Sequence, residues 1–456
     1  MPVNNHRLAA GFWLAGLCLS SLPGCGVDPV RETLDMTLPS QWTSEPSTQP
    51  AIGNWLQTFS DPDLEVLLQE TWHNNYDLKA AAARVQAAQE LVKIEGSVRL
   101  PQLAFAPGYQ RGKEPASDQA GHFNALFGFS WELDVWGRIQ AAQQSAQQQA
   151  NATAADYQYA RLSLSARTAQ TYFELAEARL QTEVAEQSVH DRGVIVALIR
   201  GRFNKGLTRG LDLRLALTDL ANAEAQLANA RNQTQVFARR LDVLLGRYPS
   251  AGLIDKAHFA ELPPPIAAGL PAELLNRRPD IVAAFERLRA ADSRLESAHK
   301  ALLPRITLTA NGGTGSPALT ELIDPRAAAW NVAMGLVQPL FTGDRLQAQI
   351  RLNQAEVDAA INAYKSTALN AFREVEQALA AETWLRTEEK ALRQAVEQTR
   401  ASRKLAVYSY QQGLIEILTL LDSYRSTLNA QSAHLVVQRQ LLTNRINLYL
   451  ALGGAV

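Results

Sequence analysis

The sequence has few cysteines, almost no net charge and few aromatic residues. Cysteine occurs twice in 456 residues, the formal net charge is -1, and aromatic residues make up 7% of the chain. Because the chain has no basic field, nothing in its composition argues for a nucleic-acid partner. Glycine and proline are missing from long stretches rich in alanine and glutamine, a composition typical of long helices. The sequence therefore predicts a mainly α-helical fold.

The N-terminus lacks an apolar run long enough to span a membrane as a helix. His6 and Arg7 precede an apolar run from Leu8 to Leu22, which small residues follow. This pattern predicts a signal peptide over residues 1–24 that is removed on export.

The signal ends in Leu22-Pro23-Gly24-Cys25, which is similar to a bacterial lipoprotein signal. In such a signal the Cys thiol is acylated and becomes the mature N-terminus, so a covalent lipid on Cys25 is expected and no other cofactor. An ordinary secretory signal with an incidental cysteine is the alternative. Gly26 follows the cysteine instead of Asp, which in the lipoprotein sorting pattern indicates the outer membrane.

The chain contains a tandem duplication. A shift of 207 places Gly206-Leu207 on Gly413-Leu414, and a shift of 203 places Leu100-Pro101 on Leu303-Pro304. The predicted organisation is an N-terminal lipoprotein segment (25–60), a first repeat (61–260), a Pro-rich linker (261–271) and a second repeat (272–456). Each repeat reads as helix, strand, strand, long helix and return helix.

The strands are predicted from alternating apolar and polar residues. They cover about 102–110, 122–136, 305–313 and 329–341, with Phe127, Phe129 and Trp131 in one apolar row. The opposite row is expected to be polar and to line a lumen: Asn124, Ser130, Glu132, Thr307, Thr309 and Asn331.

The long helix of the second repeat is predicted from the absence of Gly and Pro between Asp344 and Gln412. Such a helix would be about 100 Å long. The copy from Arg138 to Arg200 is interrupted only by Gly193. A soluble antiparallel bundle is the alternative reading of these helices.

Four strands cannot stand alone in a bilayer, because open sheet edges leave backbone groups unpaired in hydrocarbon. Membrane barrels need at least about eight strands. Three copies of the chain would supply twelve, so we expect a homotrimer with a 12-stranded transmembrane β-barrel that continues as a periplasmic α-helical barrel. A small soluble sheet is the alternative.

The ordered set of these features resembles the outer membrane factor (TolC-like) family, in particular its lipoprotein branch that serves resistance-nodulation-division pumps. The features are the duplicated pattern, the Leu-Pro turns, both Gly-Leu breaks and the Leu22-to-Cys25 signal. The resemblance implies an outer membrane exit duct for small molecules in a tripartite efflux system. Its partners would be a second and third copy, a periplasmic adaptor protein, an inner membrane pump and outer membrane lipid.

The resemblance also implies roles for the two Gly-Leu turns, which would form the periplasmic tip. The expected adaptor-facing residues are Arg202, Gly206, Leu207, Gly413 and Leu414.

A periplasmic gate is expected from Leu418 and Asp422, with contacts from Tyr410. Leu418 and Asp422 are four residues apart and so share one helix face. The first repeat has Leu215 where the second has Asp422, so gating is assigned to the second copy. A solvated surface carboxylate is the alternative for Asp422.

No constellation typical of an enzyme or a metal site is present in the sequence. The seven histidines are scattered, and no Cys or carboxylate cluster accompanies them at ligand spacing. The glycine-rich stretch from Asn311 to Pro317 has no following Gly-Lys-Ser/Thr, so it does not predict a phosphate site. A type I secretion duct and a non-pore periplasmic coiled-coil lipoprotein remain the alternatives.

Overall fold

The structure is a computed structural model that describes residues 39–44, 56–111, 121–253, 258–264 and 268–454. The predicted signal peptide and Cys25 lie outside these residues. The fold is mainly helical, with one small antiparallel sheet. In chain order the helices and strands are α1 (Pro62–Asn74), α2 (Tyr76–Ser97), β1 (Gln102–Gln110), β2 (His122–Leu133), α3 (Arg138–Asn204), α4 (Gly210–Leu244), α5 (Pro271–Arg277), α6 (Pro279–Lys300), β3 (Arg305–Ser316), β4 (Ala328–Val337), α7 (Arg345–Gln411) and α8 (Ile417–Ala451).

The two long helices, α3 and α7, each contain 67 residues. Each is therefore about 100 Å long, as predicted. The expected interruption at Gly193 is wrong, because α3 runs through Gly193 and ends at Asn204. A single helical glycine costs only about 1 kcal/mol relative to alanine, which packing along so long a helix can outweigh.

The shorter helices α1 and α5 have no counterpart in the predictions. Asp61 caps α1 by accepting a hydrogen bond from Leu64 N at 3.1 Å. Pro271, placed in the predicted linker, is the first residue of α5, a position where proline's missing N–H has no helical partner to lose.

The packed end of the molecule shows the duplication in its contacts. We use this name for the C-terminal ends of α4 and α8 together with the residue pairs 74–75 and 277–278 beside them. Asn75 Nδ2 donates to Leu244 O at 2.9 Å, and Arg278 Nη1 donates to Ala451 O at 3.3 Å. The donors are related by the shift of 203 and the acceptors by the shift of 207. Each repeat therefore satisfies an orphan carbonyl of its return helix in the same way.

The sheet has the order β1-β2-β3-β4, with antiparallel neighbours throughout. The central pair, β2 and β3, joins the two repeats. β3 extends to Ser316 instead of 313 because its glycine-rich end still pairs with β2, where Ser316 lies opposite Phe123.

Two predicted strands are shorter than expected. β2 ends at Leu133 instead of 136, since both oxygens of Asp134 accept hydrogen bonds from the first N–H groups of α3, at 2.9 and 2.7 Å. β4 ends at Val337 instead of 341 and is followed two residues later by Pro339, which cannot donate to a ladder.

The register sorts the side chains into one apolar and one polar face, as predicted. Phe105 lies opposite Phe127 with ring centroids 4.8 Å apart, and Trp330 lies opposite Gly312 in the same row. On the other face, Asn311 Nδ2 donates to Asn331 Oδ1 at 3.2 Å. Large apolar side chains on the first face are exposed, and Trp330 retains 81% of its accessible surface. Among the described helices, none combines the length and apolarity of a membrane span.

Candidate functional site

The tip of the molecule lies where the long helices end and the chain reverses. We use this name for the turns 205–209 and 412–416 and the helix ends that flank them. Gly206 has φ +70° and Gly413 has φ +76°, the left-handed conformation that glycine accepts readily. Leu207 N donates to Arg202 O and Leu414 N to Ser409 O, both at 2.9 Å. These bonds satisfy the last carbonyls of α3 and α7 and turn the chain sharply.

Four of the five predicted adaptor-facing residues are open to solvent at the tip. Leu207 is 64% exposed and Leu414 is 73% exposed. A Cβ added at Gly206 or Gly413 would meet nothing within 4 Å. The two turns therefore present leucine side chains on an unobstructed surface.

Arg202, the fifth predicted adaptor-facing residue, lies between the two hairpins. Its Nη1 is 3.5 Å from the carbonyl oxygens of both Tyr410 and Gln411, and its guanidinium lies 5.4 Å from the Tyr410 ring. A cation at a helix C-terminus and over an aromatic face is favourable on both counts. Arg202 therefore ties α3 to the end of α7 within one chain.

Tyr410 belongs to the apolar core of the tip and is 6% exposed. Tyr410 is predicted to contact the gate residues, but its side chain packs in this core against the buried side of α8, opposite to the side that carries them. The core combines residues from α3, α4, α7 and α8: Ile195, Val196, Ile199, Ala216, Tyr410, Ile417, Leu420 and Leu421.

Leu418 and Asp422 share the exposed face of α8, as their spacing predicts. Leu418 is 57% exposed, and Asp422 is exposed one turn later. The opposite face of the same two turns, with Ile417, Leu420 and Leu421, is buried in the tip core. Helix α8 therefore offers a leucine and a carboxylate on a face that no other described part of the chain covers.

Asp212, the acidic residue near the start of α4 in the first repeat, has a different role from Asp422. Asp212 Oδ2 accepts hydrogen bonds from Thr208 Oγ1 at 2.5 Å and from Arg209 N at 3.3 Å. Asp212 therefore stabilises the start of α4. Leu215 is the counterpart of Asp422, so the two hairpins present different chemistry on equivalent faces.

A set of polar contacts behind the tip joins the helices of the first hairpin to each other and to the second hairpin. Arg192 Nε pairs with Asp219 Oδ2 at 2.6 Å, and Arg403 Nη1 pairs with Asp191 Oδ2 at 2.7 Å. The Arg403 guanidinium also lies 5.2 Å from the ring of Tyr424. We call these five residues the tip clamp. Helix α3 is thereby bonded to α4 by one pair and to α7 by the other, with α8 reached through the tyrosine.

The environment of the clamp is partly desolvated. The Arg192 side chain is 5% exposed and that of Asp219 is 15% exposed. Burial raises the pKa of the Tyr424 hydroxyl, and the negative charge of Asp191 raises it further. Tyr424 therefore remains neutral at ordinary pH and serves as an aromatic surface for the arginine.

The tip clamp was not predicted, although a comparison of the two repeats contains a signal for it. At a shift of 207 the counterparts of the clamp residues are uncharged and non-aromatic: Gln398, Thr399, Ser426, Val196 and Leu217. Charged residues that one repeat has and the other lacks, near the reversal points, are therefore a signal in the sequence for contacts within and between the hairpins.

A duplicated pair of long helical hairpins, joined to a small sheet with one exposed apolar face, is the architecture of the outer membrane ducts. The model of the family described as outer membrane efflux protein matches the chain twice, over residues 67–247 and 270–454, once in each repeat. The chain belongs to this family.

Individual relatives agree with the family match. The pyoverdine export outer membrane protein OpmQ of Pseudomonas putida is 32% identical over 95% of both chains. The outer membrane protein OprJ of Pseudomonas aeruginosa is 32% identical over 97% of this chain and 96% of its own. The solved open state of the Neisseria gonorrhoeae MtrE outer membrane channel has a TM-score of 0.83 and 28% identity, covering 93% of this chain and 97% of its own.

These similarities confirm the predicted class. The protein is an outer membrane efflux channel protein that extends into the periplasm, and it is not an enzyme.

Proposed function

We propose that three copies of the chain form the exit duct of a tripartite efflux system, with Leu418 and Asp422 closing its periplasmic end. The exposed face of α8 carries this proposal, because it places an apolar and an acidic side chain at the tip, where both are open to solvent among the residues that the structure describes. Under threefold symmetry the leucines become an apolar constriction and the carboxylates a charged ring.

The sheet supports the trimer. Within the described residues, β1 pairs only with β2 and β4 only with β3, so each chain has two open edges. Pairing β1 of one copy with β4 of the next would close twelve strands and leave no open edge in the bilayer. The exposed apolar row that includes Phe105, Phe127 and Trp330 would then face lipid.

Opening is a shift between two arrangements of the tip. A periplasmic adaptor protein docks on the exposed leucines of the tip turns, Leu207 and Leu414, and an inner membrane pump supplies the energised partner. Their binding favours an arrangement in which the second hairpin has moved away from the first. Arg202 and the tip clamp oppose this movement, because both join the hairpins within each chain.

The gate is tested by single-channel conductance in planar bilayers. Asp422→Ala removes one carboxylate per chain, and we expect a several-fold rise in conductance because the ring that narrows the pore is lost. Asp358→Ala is the matched control, since it removes an exposed carboxylate from α7 far along the chain from the tip. Equal conductance of Asp422→Ala and the unmodified trimer would refute the gate.

The lipid anchor is part of the proposal. Cys25 lies outside the described residues, and its assignment rests on the Leu22-Pro23-Gly24-Cys25 signal. The mass of the mature N-terminal peptide tests it: a diacylglyceryl group and an amide-linked acyl chain are expected on Cys25, and a Cys25→Ser variant should retain neither.

A further inference from the structure

Helices α2, α3, α6 and α7 form a row next to the sheet. Helix α2 contacts α3, α3 contacts α6, and α6 contacts α7. The row has the same order as the strands β1-β2-β3-β4 to which these helices connect. Helices α2 and α7 therefore lie at the two ends of the row, as β1 and β4 lie at the two edges of the sheet.

The outer side of α2 carries an exposed apolar stripe. Gly96 faces α3, since a Cβ there would lie 2.6 Å from Gln143 Nε2. Leu91 points to the other side of the helix, about 140° around the axis from Gly96. Leu91 is 46% exposed and Ile94 is 62% exposed. The α2 stripe consists of Ala80, Ala83, Ala87, Leu91 and Ile94, all of them exposed. Spacings of three and four are typical of a helix that packs against another helix.

The outer side of α7 carries a second exposed stripe. Val357 faces α6, where it packs in an apolar cluster with Leu288 and Leu295. Leu352 points about 140° around the axis from Val357, and it is 53% exposed. The α7 stripe consists of Leu352, Ala355, Ala359 and Ala363, all of them exposed. Both ends of the row therefore present apolar side chains at the spacing of a helix contact.

The contact between α3 and α6 joins the two repeats within the chain. Ser145 is 5% exposed, and its Oγ donates to Ala290 O at 2.8 Å. Arg294 Nε donates to the same Oγ at 3.3 Å. A serine side chain is short, so its bond to a backbone carbonyl of the other helix requires that the two helices lie close together.

The duplication relates this inner contact to the two outer stripes. The shift of 207 takes α3 onto α7, and the shift of 203 takes α2 onto α6. The corresponding residues are Ser145 with Leu352, Ala290 with Ala87, and Arg294 with Leu91. Positions that meet between the repeats therefore correspond to exposed apolar residues at the two ends of the row.

We propose that α2 of one copy packs antiparallel against α7 of the next, with Ala87 and Leu91 beside Leu352. This seam between copies repeats the α3–α6 contact and replaces its serine and arginine by two leucines. The inference rests on the proposed trimer, because pairing β1 of one copy with β4 of the next brings the attached ends of α2 and α7 together. Apolar contact surfaces are typical of permanent assemblies.

Cysteine cross-linking in isolated outer membranes tests the register of the seam. The double variant Ala87→Cys/Leu352→Cys is treated with a short bifunctional thiol reagent, boiled and run on a denaturing gel. We expect covalent dimers and trimers. Within one chain the two positions lie at opposite ends of a row of four helices whose neighbouring axes are about 8–10 Å apart, so a link has to join two copies.

The matched control moves one cysteine along the same stripe. Ala363 is exposed on the same side of α7 as Leu352 but about 16 Å farther along the helix. The double variant Ala87→Cys/Ala363→Cys should therefore run as a monomer after boiling. Each single variant should do the same, which excludes links through Cys25.

A variant without cysteines gives a second measurement. Leu352→Ser introduces the residue that α3 has at this position, and it removes an apolar side chain that one chain alone leaves exposed. We expect the temperature at which the unboiled trimer separates to fall by several degrees, with the helix content of the chain unchanged. Gln347→Ser, an exposed position of α7 outside the stripe, should leave that temperature unchanged.

Either of two results would overturn the seam. One is cross-linking of Ala87→Cys/Leu352→Cys that does not exceed that of the control pair, and the other is an unchanged separation temperature in Leu352→Ser. The proposed duct would survive both results, provided that the unmodified protein runs as a trimer before boiling. A monomer before boiling would refute the trimer and the seam together.

Discussion

The helices end in the same backbone turn at the packed end and at the tip, but the turns at the packed end are crowded by neighbouring atoms and those at the tip are open. Helices α3, α4, α7 and α8 are each followed by a glycine at positive φ. These are Gly206 and Gly413 at the tip and Gly246 and Gly453 at the packed end. A Cβ on Gly246 would lie 2.7 Å from Asn74 O, and one on Gly453 would lie 3.0 Å from Arg278 Cα. At the tip glycines a Cβ would meet nothing within 4 Å.

The packed end and the tip also differ in how deeply their charged side chains are buried. At the packed end Arg278 is 2% exposed and Arg445 is 1% exposed, and each has carboxylate and carbonyl partners around it. At the tip Arg202 is only half-buried, and the Arg403–Asp191 pair retains solvent contact. One end of the rods is thus fixed by close packing, and the other is held by a few polar contacts that can be exchanged. This difference agrees with the proposal that the duct opens at the tip.

Removing Arg278 should have the largest effect on stability. Its guanidinium pairs with Asp280 at 2.8 Å and with Glu374 at 2.6 Å, and nearby carboxylates raise its pKa despite burial. Arg278→Ala leaves carboxylates without their cation and should cost about 3–5 kcal/mol of unfolding free energy. The thermal midpoint and the yield of folded trimer measure this loss.

Arg326→Ala is the control for Arg278→Ala. Arg326 also pairs with an aspartate, Asp324, at 2.7 Å, but its side chain is 91% exposed. We expect its thermal midpoint to match that of the unmodified protein. Equal midpoints for the two variants would show that the packed end does not depend on its buried cation.

The next largest effect on stability should come from the turn glycines, and alanine should cost less at the tip than at the packed end. Gly206→Ala adds only the strain of a left-handed alanine, about 1–2 kcal/mol. Gly246→Ala adds the same strain and also forces the backbone at Asn74 to move, for about 1–3 kcal/mol more. Thermal midpoints should therefore fall in the order unmodified, Gly206→Ala, Gly246→Ala. The reverse order would mean that the tip is the more rigid end.

Most of the fold could be predicted from the sequence, because its signals are local and repeated. The glycine-free span after Asp344 predicts α7, and the alternation around Phe127 predicts β2 with the correct face. Predicted strand ends were wrong where a side chain forms a hydrogen bond that ends the strand early, as Asp134 does after β2. The predicted interruption at Gly193 does not occur, because packing along the long helix α3 outweighs the low helix propensity of glycine.

The site was predictable only in part. The shared face of Leu418 and Asp422 follows from a spacing of four within one helix. The position of Arg202 does not, since its partner Tyr410 lies in the other repeat. The same holds for Arg403 and Asp191 of the tip clamp, which also come from different repeats. Contacts between repeats depend on how the rods pack, which periodicity within one rod does not specify.

Breaking the tip clamp should have the smallest effect on stability and a clear effect on conduction. Arg403→Ala removes the ion pair with Asp191 and the contact with Tyr424, both partly exposed, for about 1 kcal/mol or less. The same loss frees the second hairpin from the first, so single-channel conductance should rise by a measurable factor while the thermal midpoint stays within a degree or two.

The partner variant sharpens this test. Asp191→Asn removes the same ion pair from the α3 side but leaves the contact between Arg403 and Tyr424. The double variant should therefore conduct no more than Arg403→Ala alone. Arg393→Ala is the control, since it removes an arginine from α7 whose nearest carboxylate, Glu389, is 4.0 Å away on the same helix. Additive gains from Arg403→Ala and Asp191→Asn would show that the two residues act through separate contacts, and the ion pair between them would then not hold the hairpins together.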